Sequence, residues 1–193
     1  MPGSWLREEQ ADLAADKILE AADSAFADLG VWRTRMGHIA RYAGCSRGTL
    51  YRYFKTRHEL HLAYIDRSAR SLAAELSTEL AEIEDPRTRL VEGILRAVQK
   101  VRDRPGTRAW FDPQASGRTA RISRGSEVID TMSNAFLESF LDPTNGEPRG
   151  RLRGRWLVRV IVSLLTMPGE NDEEERSLVE RFVAPALLDE RAT

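Results

Sequence analysis

Between Arg33 and Arg57 the chain reads RTRMGHIARYAGCSRGTLYRYFKTR, a window with seven basic residues and no aspartate or glutamate. They are Arg33, Arg35, Arg41, Arg47, Arg52, Lys55 and Arg57. The formal net charge over all 193 residues is only −1, so the segregation is local. Gly44 divides the window into two stretches too short to stand as isolated helices. Any fold containing them must pack both against something longer and leave a basic face in water.

The flanking sequence supplies that support. From Ala11 to Leu29 the apolar residues Ala14, Ile18, Ala22, Ala25, Phe26 and Leu29 recur every three or four positions, the period of an amphipathic helix. Gly30 stands where a left-handed C-terminal cap belongs. Residues 1–10 lack a pattern and are expected to be a loose arm. Thr34 is the expected N-cap of a second helix whose inner face is Met36, Ile39, Ala40 and Ala43. Ser46 is the expected cap of a third, with Leu50 and Phe54 turned inward and Arg47, Gly48, Tyr51, Arg52 and Lys55 outward. Thr56 and Glu59 have capping-box spacing and open a fourth helix that is expected to run to about Glu84. Asp85-Pro86 ends it.

Helical periodicity continues after Pro86. Leu90, Ile94, Leu95, Val98 and Val101 mark one helix, expected to stop at Pro105-Gly106. Ile129, Met132, Phe136 and Phe140 mark another, before the expected loop DPTNGEPRG. Leu152 to Leu165 is the most apolar helix, and a last one runs from about Asp172 to Leu188 behind an acidic first turn. The expected fold is all-α with about nine helices. Residues 1–55 form an arm and a three-helix unit, and 56–193 a larger helical domain. No apolar run approaches the ~20 residues of a membrane span, and the start lacks the pattern of a secretory signal. A single cysteine, Cys45, fits a reducing cytoplasm. Near-zero net charge argues against a chain coated in nucleic acid but not against one basic surface.

The segments ILEAADSAFADLG and MGHIARYAGCSRGTLYRYFKTRHEL resemble the N-terminal signature of the tetracycline-repressor family of transcriptional regulators. The specific elements are Gly44-Cys45-Ser46, Gly48-Thr49-Leu50-Tyr51 and Tyr53-Phe54. The resemblance implies a homodimer that places each third helix in a major groove of double-stranded DNA. It also implies an inducer pocket in the larger domain, and packing of the last two long helices against the partner's. On that reading Leu157, Val160, Ile161, Leu164, Leu178 and Phe182 are dimer-interface candidates. Gly37 and His38 depart from the family pattern, and Gly37 weakens the second helix by up to about 1 kcal/mol relative to alanine.

Within the window, phosphate contacts are expected from Arg35, Thr49, Tyr51, Tyr53, Lys55 and Arg57. Helix N-terminal amides at Thr34 and Ser46 add to these. Base reading falls to Arg47, with Arg52 or Tyr51, because an arginine fork matches guanine O6 and N7. Gly48 allows close approach. The alternatives are solvated arginines and a Tyr51 that belongs to the core. Cys45 in the turn reads as packing rather than redox chemistry. His58 and His61 have a metal-sharing spacing but no third ligand, and read as two partly exposed histidines. The arginines at 149, 151, 153, 155 and 159 are expected to be solvated or to pair with the acidic turn at 172–175.

Trp110, Phe111, Met132, Phe136, Phe140 and Trp156 are candidate lining for an apolar or aromatic effector, against the alternative that they are simply core. No cofactor or metal, and no membrane partner, is expected. The chain lacks a nucleophile–base motif and a phosphate-cradling glycine loop, which argues against an enzyme. A ligand-released repressor on a palindromic operator is the expectation. An activator of the same fold and a helical adaptor that reads no DNA remain as alternatives.

Overall fold

The computed structural model describes residues 4–112 and 147–188, and every regular element among them is helical. Helix α1 runs Ser4–Leu29, α2 Met36–Tyr42, α3 Arg47–Tyr53, α4 Arg57–Glu79 and α5 Pro86–Arg102. The short α6 (Pro105–Arg108) continues into a 3-10 turn, Ala109–Phe111. Helix α7 spans Glu147–Thr166 and α8 Asp172–Leu178. A wider π turn, Val179–Val183, leads into α9, Ala184–Leu188. Pro185 explains that turn, since it has no N–H to offer the carbonyl one α-turn back.

Several boundaries differ from those expected. The arm is not loose from Ser4 onward, because WLREEQADL holds good helix formers and no breaker. Helix α4 stops at Glu79 rather than near Glu84, and Asp85 caps α5, its carboxylate accepting from Thr88 N–H at 2.7 Å. Pro105-Gly106 begins a helix instead of ending one, with Pro105 in the first turn where its missing N–H costs nothing. Glu147 to Gly150 of the expected loop belongs to α7, for the same reason at Pro148.

Two packing centres organise the described residues. In the first, Ile18, Ala22, Ala25 and Phe26 of α1 meet Met36 and Ile39 of α2, Leu50 of α3, and Leu60 and Tyr64 of α4. Trp110 from the 3-10 turn closes this cluster. In the second, α5, α7, the π turn and α9 pack through Leu90, Ile94, Leu157, Leu164, Val183 and Leu187. The expected division at residue 55 cuts through the first centre, since Tyr64 and Trp110 lie beyond it. Arg102 ties the second centre's helices together. Its guanidinium donates to both oxygens of buried Glu175, at 2.8 and 2.6 Å, and to the Leu164 carbonyl at 2.9 Å. The acidic turn of α8 is thus met by Arg102 on α5.

Turn chemistry sets the chain's course. Gly30 (φ 77°) and Gly44 (φ 63°) take the left-handed conformation that L side chains resist. The Thr56 hydroxyl accepts from Glu59 N–H at 3.1 Å, while the Glu59 carboxylate accepts from Lys55 N–H at 2.8 Å, a capping box displaced by one residue.

His61 is buried rather than partly exposed, edge-on to Phe26, Trp32 and Trp110. Arg57 Nε donates to its Nε2 at 3.3 Å, which requires the neutral ring. Burial first, then the charges of Arg57 and His58, lower its pKa to about 4. The folded chain therefore refuses a proton that the unfolded chain accepts near pH 6.5, so stability is full above that pH and falls as pH drops toward 4. Going from pH 7 to 5 should cost about 2 kcal/mol of unfolding free energy. Urea melts of the wild type and His61→Gln should differ by that pH slope.

Candidate nucleic-acid interface and effector cavity

Helix α3 has seven residues and cannot persist alone; its inner side is held by Leu50 (0% exposed) and Phe54 (8%). Ser46 Oγ accepts from Thr49 N–H at 3.0 Å and so caps it. With that side fixed, Arg47, Gly48, Tyr51 and Arg52 face water, and Lys55 follows them. Tyr51 is exposed, not core. Arg33, Arg35 and Arg41 are also exposed. Thr49 and Tyr53 are half-buried, and the Arg52 guanidinium lies 5.3 Å from the Tyr53 ring centre. The α3 face carries no acidic side chain.

Two residues expected on this surface are elsewhere. Thr34 is 1% exposed, and its hydroxyl lies 2.8 Å from the Gly30 carbonyl and 3.1 Å from that of Ala25. It locks the α1–α2 connection, and the N-cap of α2 is Arg35. Arg57 is half-buried, donating to the Val31 carbonyl at 2.8 Å and lying over Trp32 at 6.0 Å. The Thr34 hydroxyl is thus turned into the fold, and the Arg57 guanidinium is partly committed to it. Charge and hydroxyl counting could not separate them from the exposed residues, because burial depends on α1.

Gly37 has a physical reason. A methyl there would lie 2.8 Å from Arg47 Nη2 and 2.9 Å from its Nε, so the missing side chain leaves space for that guanidinium against α2.

A cavity of about 200 Å³ lies between α4, α5, α7 and the α6/3-10 segment. Trp110 and Phe111 line it, as expected. Trp156 does not: it is 46% exposed on the outer face of α7. Met132, Phe136 and Phe140 lie outside the described residues. The lining that went unrecognised comes from α4 (Ser68, Ala69, Leu72, Ala73, Leu76), α5 (Ile94, Ala97) and α7 (Leu157, Ile161). The small residues Ala69 and Ala73, one turn apart beside the leucine stripe, were the available signal. Leu157, Val160 and Leu164 are buried within the subunit, and Ile161 lines the cavity, so these interface candidates are inward-facing. Leu178 (40%) and Phe182 (69%) are exposed, with Leu152 (66%) and Trp156 on α7.

The interface and the cavity share a wall. Tyr64 stacks on Trp110, with ring centres 5.7 Å apart and planes 11° apart, and both belong to the cluster supporting α3. The Tyr64 hydroxyl donates to Asp23 Oδ1 of α1 at 2.5 Å; burial first and this bond second push its pKa up. Gly106 lets α6 approach: a methyl there would lie 2.7 Å from the Asp23 carbonyl.

Comparison with known proteins agrees with this arrangement. The family model described as bacterial regulatory proteins, tetR family, matches residues 18–64. The uncharacterised HTH-type transcriptional regulator Rv1255c of Mycobacterium tuberculosis (strain H37Rv) is 39% identical over 185 residues, 95% of this chain and 90% of the relative. A TetR transcriptional regulator from Rhodococcus sp. RHA1 superposes with TM-score 0.71 at 21% identity, covering 96% of this chain and 100% of that one. RolR in complex with resorcinol superposes with TM-score 0.67 at 15% identity, covering 94% and 89%. No helix among the described residues is long and apolar enough to cross a membrane.

Replacing Gly37 by alanine displaces only the flexible end of Arg47 and removes the glycine penalty in α2. Chemical denaturation should therefore find Gly37→Ala up to ~1 kcal/mol more stable than the wild type, with no loss of cooperativity.

Proposed function

Because the chain belongs to the tetR family of bacterial regulatory proteins, and so is a DNA-binding transcriptional regulator, we propose that it is a homodimeric cytoplasmic repressor of a palindromic operator, released by a small effector. The observation that carries the reading is the α3 surface: a capped helix anchored by Leu50 and Phe54 that exposes Arg47, Gly48, Tyr51 and Arg52 with no acid among them. Arg47 reads a guanine edge, and Gly48 permits close approach. Arg35, Thr49, Tyr51, Tyr53 and Lys55 hold register on phosphates, with Ser46 fixing the start of the helix.

Dimerisation supplies the second reading head. Leu152 and Trp156 stand one turn apart on the outer face of α7, and Leu178 at the end of α8 and Phe182 in the π turn after it are also exposed. Large apolar side chains exposed together mark an association surface, here the partner's copy of the same helices. The effector reading rests on the cavity and its shared wall. A ligand that favours one position of Tyr64 and Trp110 shifts the population of head spacings and so the affinity for two half-sites. RolR, which has the same fold, binds the one-ring molecule resorcinol.

Selection of bound duplexes from a random pool, followed by binding titrations at several salt concentrations, tests the reading. Arg47→Ala should relax preference at one base pair by about 1–3 kcal/mol. Lys55→Ala should weaken all sequences alike and reduce the salt slope by about 1. Sedimentation of Phe182→Asp should give monomers with operator affinity reduced at least tenfold. A dimer with full affinity sinks that interface, and unaltered binding by both Arg47→Ala and Lys55→Ala sinks the reading of α3.

A further inference from the structure

The cavity holds more information than its position. Its volume is about 200 Å³. An apolar cavity of ~150 Å³ accepts a benzene ring, whereas drug-sized ligands occupy ~300–1,000 Å³. The space therefore suits one substituted ring or a hydrocarbon of similar bulk. The wall is built from leucine, isoleucine, valine, alanine and aromatic side chains of four elements, with few polar groups.

Three of them, Tyr64, Thr107 and Arg104, already have polar partners. Tyr64 donates to Asp23, and its oxygen lies 3.3 Å from the Thr107 hydroxyl. Arg104 is the only charged residue among the described lining, and its Nη2 sits 2.5 Å from Glu75 Oε1. The other Glu75 oxygen takes Lys100 Nζ at 3.0 Å, and Lys100 reaches Glu79 at 2.6 Å. Arg96 also lies 3.9 Å from Glu79, so both acids behind the wall are met by bases. The donors of Lys100 and Arg104 hold Glu75 ionised, its pKa lowered to about 2. A charged guest would have to leave water for an apolar space, and Arg104, the charged residue at its edge, already has Glu75 as a counter-ion.

We propose that the ligand of this cavity is an uncharged, hydrocarbon-rich molecule of about one-ring size, and that the internally neutralised Arg104–Glu75 pair excludes carboxylates and ammonium ions. This rests on the reading of the cavity as the effector site and goes further by fixing the ligand's charge and size. Acyl thioesters of nucleotides, long-chain carboxylates and multi-ring cations fall outside the class. The pair of small residues on α4, Ala69 and Ala73, sets the available space, so enlarging either removes the ligand's volume.

The test is calorimetric titration of the full chain with toluene, p-cresol, 4-methylbenzoate and 4-methylbenzylammonium, which share a ring and differ in charge. Toluene and p-cresol should bind at least tenfold more tightly than either ion. Ala69→Leu and Ala73→Leu, each checked by thermal melting, should weaken toluene at least tenfold in whichever variant remains folded. The proposal is overturned if toluene does not bind, if an ion binds as tightly as toluene, or if a folded filling variant keeps toluene's affinity. A parallel operator titration separates the two ideas. Neutral preference with unchanged operator affinity supports the ligand class and removes the effector reading. Operator release by an ion bound as tightly as toluene overturns the class and keeps that reading.

Discussion

The stacked pair Tyr64–Trp110, with Phe26 edge-on to both, is the contact on which the rest of this chain depends. Helices α2 and α3 have seven residues each, well below the length at which a helix persists in water. They exist because α1 and the start of α4 give Met36, Ile39 and Leu50 an apolar surface. That surface is completed by a residue arriving from far along the chain, Trp110, 2% exposed. The Tyr64–Asp23 hydrogen bond fixes α4 to α1 at the same point, and glycine at 106 lets α6 lie directly on the α1 backbone.

The same rings form one wall of the cavity, so the packing that steadies α3 and the packing around the cavity are not independent. Close-packed interiors respond to added volume by moving between discrete arrangements rather than deforming smoothly. Under the proposed regulation, a guest against Trp110 would act on the support of α3 without a chain of intermediates. This is the physical content of the proposed regulation. It also makes the apolar lining matter, since the Tyr64 hydroxyl and the Arg104 guanidinium already serve Asp23 and Glu75.

Much of this was legible in the sequence, and the division follows the range of the forces. Caps at Ser46 and Thr56, the left-handed glycines at 30 and 44, and the inward pair Leu50 and Phe54 are local matters, and their residue types announced them. The outward set from Arg47 to Lys55 followed from the period. The misplacements share a cause in tertiary context. Thr34 and Arg57 looked like surface donors until the last turn of α1 and the connection after it offered them carbonyls at Ala25, Gly30 and Val31. His61 looked partly exposed until Trp110 covered it. Trp156 and Leu157 are neighbours on one helix, and only knowing which side α5 occupies assigns the first to the outside and the second to the core. Gly37 was a departure without a reason until the Arg47 guanidinium was seen to lie against it.

Helices α2 and α3 stand on the α6 and 3-10 segment through Trp110 and Asp23. Native-state hydrogen exchange of Gly106→Ala measures this directly, because the added methyl pushes α6 off the α1 backbone while leaving α3 untouched. Amides of α1, α2 and α3 should lose protection together with those of α6, by about a hundredfold or more for a weakening of ~3 kcal/mol. Loss of protection confined to α6, with α3 as slow to exchange as in the wild type, would contradict it.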